Sequence, residues 1–288
     1  MSWQFFLICF LILGTIVALL QRQLAQTIPQ YNRLVNACFF VGVHYPLAII
    51  TALVIGFHAD IGLGNMIILF AAGISFPLTD ILAYRANKNI DAGLLGIINN
   101  LGPVVTIVLA ALLLSQELTP QQFIGTLIIV FSALLVSIVT YSHSTKSTKT
   151  GIMLALLSVV LWGLGTVFES WMLKRIGMGS LLMYGIGFQT FWMVVLAWPQ
   201  RKHIGAIVNR TYGPTVLALS LSKSIKGIVF IAALYASKSA AIVGAFIGFL
   251  PVMIVVAAYI FLREKSHLKV KILAAIAGLL GLVILSLG

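Results

Sequence analysis

Acidic residues are scarce in this chain: six Asp and Glu stand against 18 Lys and Arg in 288 residues, and charged residues together make up only 8%. So little charge cannot clothe a soluble globule of this length, and the 61% of hydrophobic residues must face something other than water. Cysteine is almost absent. Cys9 and Cys38 both lie in apolar stretches without CxxC spacing, which leaves no disulfide framework and no thiolate metal site. The histidines His44, His58, His143, His203 and His267 are scattered without HExxH spacing, and no phosphate-cradling glycine loop or GxSxG follows a strand pattern. The residues thus offer no catalytic constellation, no metal site and no cofactor. Long polar segments are missing as well: the longest connections, near 22–33 and 199–212, hold about a dozen residues, too few for a folded domain outside a membrane.

What is present is apolar sequence in spans. Windows of about 17–25 apolar residues, the length a hydrocarbon core of about 30 Å requires, fall at 3–21, 34–57, 63–84, 90–115, 121–141, 151–173, 178–198, 213–236, 239–262 and 268–287. The first, from Trp3 to Leu20, exceeds the signal-peptide core of about 7–15 residues and has no small-x-small cleavage site before "QRQ", so it is expected to remain as a span. The formal net charge of +12 suits no nucleic-acid surface, because nearly all Lys and Arg sit in short connections, where anionic headgroups meet them. The expected surroundings are a lipid bilayer, and no nucleic acid is expected as a partner.

The low-complexity stretch "YSHSTKSTKT", Tyr141 to Thr150, divides ten spans into five and five. "AGLLGIINNLGP", Ala92 to Pro103, matches "AAIVGAFIGFLP", Ala240 to Pro251, at an offset of 148, and each following helix ends in a glutamate, Glu117 or Glu264. With an odd number of helices per repeat, the halves must enter the membrane in opposite senses, as in secondary transporters with inverted repeats. The expected fold is an all-α membrane protein of ten transmembrane helices in two inverted five-helix repeats, residues 1–143 and 151–288, with 144–150 as a polar linker.

Ten spans in two repeats, the "LWGLGTVFESWML" of the sixth helix, and fourth and ninth helices reading small residues, Pro, an apolar run and Glu resemble the drug/metabolite transporter superfamily in its EamA-like branch. The resemblance covers the whole chain. It departs from the family pattern in "LILGTIV" of the first helix, where a Trp-Gly pair is common, and in Pro103 to Glu117 being one residue longer than Pro251 to Glu264. The resemblance implies that helices one, three, four, six, eight and nine surround a central cavity, with five and ten peripheral. It leaves amino acids, nucleotide derivatives, cations and drugs open as substrates.

Ionisable groups inside spans cost about 2.5–3.5 kcal/mol each at the helix centre and so mark candidate sites. Lys223 and Lys226 lie near mid-depth of the eighth span on neighbouring parts of one face. Snorkelling from there would have to cross about 15 Å. Their spacing lets both ammonium groups converge on one anionic group. In the sixth span Trp162, Thr166 and Glu169 share a face, with Lys174 or Arg175 as an alternative, interfacial partner of Glu169. Asp80 of the third span can either reach the lysines or pair with Arg85. Asn99, Pro103 and Thr106 share a face of the fourth span, and Asn100 stands where the second repeat has Gly248. Substrate contact and interhelical glue are both open to the asparagines. His44 reads as a hydrogen-bonded structural residue, and Gly244, Gly248 and Pro251 as a packing face.

Together these residues predict a secondary transporter of a small polar metabolite, anionic or zwitterionic, such as an amino acid or a phosphorylated compound, working by alternating access. Lys223 and Lys226 bind the anion; Glu169 and Asp80 serve a substrate ammonium, a coupling proton or the lysines; Trp162, Thr166, Asn99 and Asn100 complete the candidate binding site. A cationic-drug exporter is the alternative within the class, and an intramembrane lipid-modifying enzyme the alternative outside it. A bacterial inner membrane is the expected location.

Two signals disagree on orientation. Lys and Arg crowd the connections after helices one, three, five, seven and nine, which puts those connections inside the cell and both termini outside. The family resemblance implies cytoplasmic termini. A cysteine placed at Ser147, with Cys9 and Cys38 replaced, should resist an impermeant thiol reagent added to intact cells if the charge distribution governs; strong labelling from outside would support the other orientation.

Overall fold

The structure is a computed structural model that describes residues 2–27, 32–89, 98–99, 101–116, 118–141, 149–250, 252–254, 257 and 268–287. Helical segments fall at all ten expected places. The first span is α1 (Trp3–Thr27); the second is α2 (Asn32–Phe39), a π-helical turn (Phe40–His44) and α3 (Tyr45–Ile55). The third comprises α4 (Leu63–Ala72) and α5 (Ser75–Asn89), and α6 (Leu101–Leu114) and α7 (Pro120–Tyr141) complete the first half. The sixth span, α8 (Lys149–Ser180), leads through a π-helical turn (Leu181–Gly185) into α9 (Ile186–Ala197) and a 3-10 helix (Trp198–Ala206). Then come α10 (Gly213–Ser237), α11 (Ala240–Ile247) and α12 (Leu268–Leu287). Trp3–Gln21, Arg33–Ile55, Leu63–Ala83 and Gly213–Ser237 are each long and apolar enough to cross a membrane, and the 58 residues of Lys149–Ala206, bent at Gly177, are long enough to do so twice.

Local chemistry sets the ends of these helices. Gly56 and Gly62, at φ 84° and 78°, turn the chain between the second and third spans, and Gly177, at φ 75°, makes the bend between the sixth and seventh. Thr119 and Gln122 form a reciprocal capping box at the start of α7, with bonds of 3.0 and 3.2 Å. Ser239 accepts from the Ile242 N–H at the start of α11, and Gln116 Oε1, from the connection after the fourth span, accepts from the Ala240 N–H at 2.9 Å. One half of the chain thereby caps a helix of the other. Glu117 and Glu264, the glutamates of the sequence match, lie outside the described residues, as do Pro251, Asn100 and the linker residues 142–148.

The inversion is written in the contact register. Gly244 packs against Thr106 and Gly248 against Pro103, so numbers rise along the fourth span as they fall along the ninth. The same holds for the fifth and tenth: Gly125 lies against Leu285 and Gly281, Ile129 against Gly281, and Ser132 against Gly278. The first span packs along the eighth and the third along the sixth. Exchanging the halves, one for six and three for eight, converts either of these pairs into the other, as a two-fold relation demands. The outer surface is apolar: Val54, Leu112 and Met153 are 80%, 75% and 70% exposed, an arrangement suited to lipid and costly in water.

The fifth and tenth spans meet backbone to backbone. A Cβ on Gly125 would stand 2.7 Å from both the Gly281 carbonyl oxygen and the Leu285 nitrogen, neither of which can rotate away. Gly125→Ala should therefore lower stability by about 1–3 kcal/mol, the range for overpacking a close contact, read as a lower Tm in detergent. Gly205→Ala, where nothing stands within 4 Å, should leave Tm unchanged and serves as the control.

Candidate functional site

The central cavity, of about 130 Å³, lies between the first, second, third, sixth, seventh and eighth spans. It takes residues from helices two and seven, where the family resemblance implied four and nine. Among the described residues the fourth and ninth spans contribute none of its lining. Gly244 on Thr106 and Gly248 on Pro103 bring these two helices close together. Helices two and seven carry π-helical turns, Phe40–His44 and Leu181–Gly185, at or next to their lining residues Phe39, Phe40, His44, Ile186 and Gln189.

Lys223 and Asp80 form the electrostatic centre. Lys223 Nζ donates to Asp80 Oδ2 at 2.7 Å and to Asn36 Oδ1 at 3.0 Å, joining the eighth, third and second spans. The ammonium also lies 4.5 Å from the centre of the Phe39 ring. Asp80 thus pairs with a lysine of the opposite half, the first of its two expected partners. The two lysines do not act alike: Lys226 Nζ sits 5.2 Å from the Phe10 ring centre and has no hydrogen-bonded acid among the described residues, though it lines the same cavity. Lys223 is thus engaged by Asp80 and Asn36, in keeping with a carboxylate that neutralises it, whereas Lys226 is not so engaged among the described residues.

Glu169 lines the cavity and is 5% exposed. It meets neither the lysines nor its expected interfacial partners: Gln189 Nε2 of the seventh span donates to its Oε1 at 3.0 Å. Arg175 stacks instead over Trp171 at 4.3 Å and reaches Asn65, on the outside of the bundle. Trp162 lines the cavity as expected, with Phe230 beside it at 6.1 Å. Thr166 is fully buried, but its hydroxyl donates to the Trp162 carbonyl at 3.0 Å and stays out of the cavity. Back-bonding of this kind satisfies the hydroxyl within its own helix. Asn99 is exposed and lies away from the cavity.

Sequence reasoning missed Gln189, Asn36 and the aromatic wall of Phe10, Phe39, Phe76 and Phe230. For His44 the expectation is a hydrogen-bonded structural role. Its imidazole lines the cavity, is 4% exposed, and carries a buried Nδ1 with no hydrogen-bond partner among the described residues. It stacks on Phe39 at 4.9 Å with 19° between the planes. A polar residue at the end of an aromatic run, beside two lysines' helix, was the available signal, but a single sequence does not say which helices adjoin.

The Lys223–Asp80 side chains are 12% and 27% exposed, so each would be a poorly hydrated lone charge without the other. Asp80→Asn alone should destabilise the protein, and adding Lys223→Met should restore part of the loss. The double-mutant cycle in thermal unfolding should give a coupling of about 1–3 kcal/mol; additive losses would show that the pair does not hold the helices together.

Comparison with known proteins agrees with this architecture. A solved crystal structure superposes on 99% of this chain and 96% of its own at a TM-score of 0.76, with 15% sequence identity, a likeness of fold alone. No curated protein matches the sequence. The model of the EamA-like transporter family matches twice, over residues 1–138 and again over 149–287, one match in each half. This integral membrane chain therefore belongs to the EamA-like transporter family, whose members move small molecules across membranes.

Proposed function

We propose that the cavity carries a small organic anion or zwitterion through the membrane by alternating access of the two inverted halves. The observation that carries this reading is Lys226: an ammonium at mid-depth that lines the cavity while its neighbour Lys223 is neutralised by Asp80. Lys226 has no acid partner among the described residues, and such a cation in a poorly hydrated space attracts an anion strongly and repels a second cation. That argument sets the organic-cation reading behind the anion.

Size narrows the choice. An engineered cavity of about 150 Å³ holds benzene, so about 130 Å³ suits a compact carboxylate better than a nucleotide. The aromatic wall favours an apolar body attached to the charged group. Glu169, tied to Gln189 through one oxygen, is the remaining acid of the cavity and takes the substrate ammonium or a coupling proton. A bacterial inner membrane is the setting in which we place this activity.

The test uses purified protein in detergent and in proteoliposomes. 4-Methylpentanoate should raise Tm and exchange in counterflow, whereas 3-methylbutylammonium, similar in size and opposite in charge, should do neither. Lys226→Met should weaken carboxylate binding at least about tenfold, about 1.4 kcal/mol. Glu169→Gln should retain exchange and lose accumulation driven by a pH gradient. Preference for the ammonium compound, or an unchanged affinity in Lys226→Met, would overturn the anion reading.

A further inference from the structure

His44 stands apart from the acids and lysines of the cavity, and its surroundings are built. The residue closes the π-helical turn Phe40–His44 of the second span, where the helix is widened by one residue. Its ring lies flat on Phe39 and edge-on to Phe40, at 4.9 and 5.7 Å, which fixes the plane of the imidazole. Opposite it is Gly227, the residue after Lys226: a Cβ there would stand 2.8 Å from His44 Cε1 and 3.4 Å from Nε2. The absence of a side chain at position 227 thus makes the slot in which the ring sits, and it sets the imidazole against the backbone turn that carries Lys226. Both His44 and Lys226 line the cavity.

The ring nitrogen Nδ1 is buried and has no partner among the described residues, although nearly every buried polar atom in a folded protein has one. A neutral imidazole offers one N–H and one lone pair. A hydroxyl, which both donates and accepts, can satisfy either nitrogen whichever of the two bears the proton. Packing against Phe39 and Phe40 would be served by a phenyl ring; the nitrogen is surplus to that purpose.

Resting on the anion reading of the cavity, we infer that His44 is a specificity residue that hydrogen-bonds a neutral polar group of the substrate while Lys226 binds its carboxylate, so that the preferred substrates are small hydroxycarboxylates. Lys226 sets the charge that enters. His44 sets which anion is kept. A site that hydrogen-bonds a substrate hydroxyl discriminates against the analogue without it far more strongly than an apolar pocket discriminates a methylene, because the deoxy compound leaves the site's own polar atom unpaired.

The experiment compares 2-hydroxy-4-methylpentanoate with 4-methylpentanoate, two acids that differ by one hydroxyl, in equilibrium binding to the purified protein. Wild type should bind the hydroxy acid at least tenfold more tightly. His44→Phe should bring the two affinities together by weakening the hydroxy acid alone, and its retained affinity for 4-methylpentanoate shows that the site is still folded. His44→Asn, whose amide reaches the position of Nδ1, should recover part of the preference. Lys226→Met should weaken both acids alike. Equal affinities in wild type, or a preference that survives His44→Phe, would overturn the role of His44 and leave the anion reading standing. Failure of both acids to bind, or indifference of both to Lys226→Met, would overturn the anion reading and this inference with it.

Discussion

A hydrocarbon interior gives a buried ammonium no water to bind, and the centre of this bundle is organised around that lack. Two lysines enter it on α10. One is answered by the protein itself, through Asp80 and Asn36 from helices of the other half. The other has the face of Phe10 beside it and the cavity before it. Because the ion pair ties the eighth span to the second and third, the same contact that neutralises Lys223 also binds the two repeats across the cavity. Under the proposed alternating access, a change in which half is open would strain this contact or move the helices around it.

The periphery is built on the opposite principle. The fourth and ninth spans, and the fifth and tenth, join through glycines, prolines and small hydroxyl residues, where dispersion contact between close backbones replaces charge. These antiparallel pairs relate each half to its inverted copy, and Gln116 adds a hydrogen-bonded tie from one half to the start of α11. The hinge-like features lie elsewhere: the helix break at Gly73, which lets the third span approach Phe188 closely, and the π-helical turns of the second and seventh spans. Close glycine seams thus lie outside, and broken helices line the cavity.

Much of this was legible in the sequence because it depends on period and composition. Apolar length located the ten spans, the 148-residue offset between the Pro103 and Pro251 segments exposed the repeat, and the cost of burying charge singled out Lys223, Lys226, Asp80 and Glu169. Pairing was not legible, because Asn36, Asp80 and Lys223 are brought together only by the packing of three helices. Glu169 illustrates the difference: its sequence neighbours Lys174 and Arg175 offered charge, while Gln189, 20 residues on and folded back beside it, supplies the hydrogen bond. Thr166 shared a face with Glu169, yet its hydroxyl closed on its own helix. The aromatic wall was hidden by abundance, since 17 phenylalanines in an apolar chain carry no local mark of which ones face a cavity. That helices two and seven line the cavity, and that four and nine contribute none of its lining among the described residues, depends on helix packing, which has no strong sequence signature.

The central claim is that Lys226 is the anion-binding group of the cavity and Lys223 is not. A structure of the protein determined with bound 4-methylpentanoate tests it most directly. The carboxylate should lie within about 2.7–2.9 Å of Lys226 Nζ, the range of a charge-assisted hydrogen bond, with the Lys223–Asp80 pair intact beside it. A carboxylate bound at Lys223 in place of Asp80, or held away from both lysines, would contradict the account.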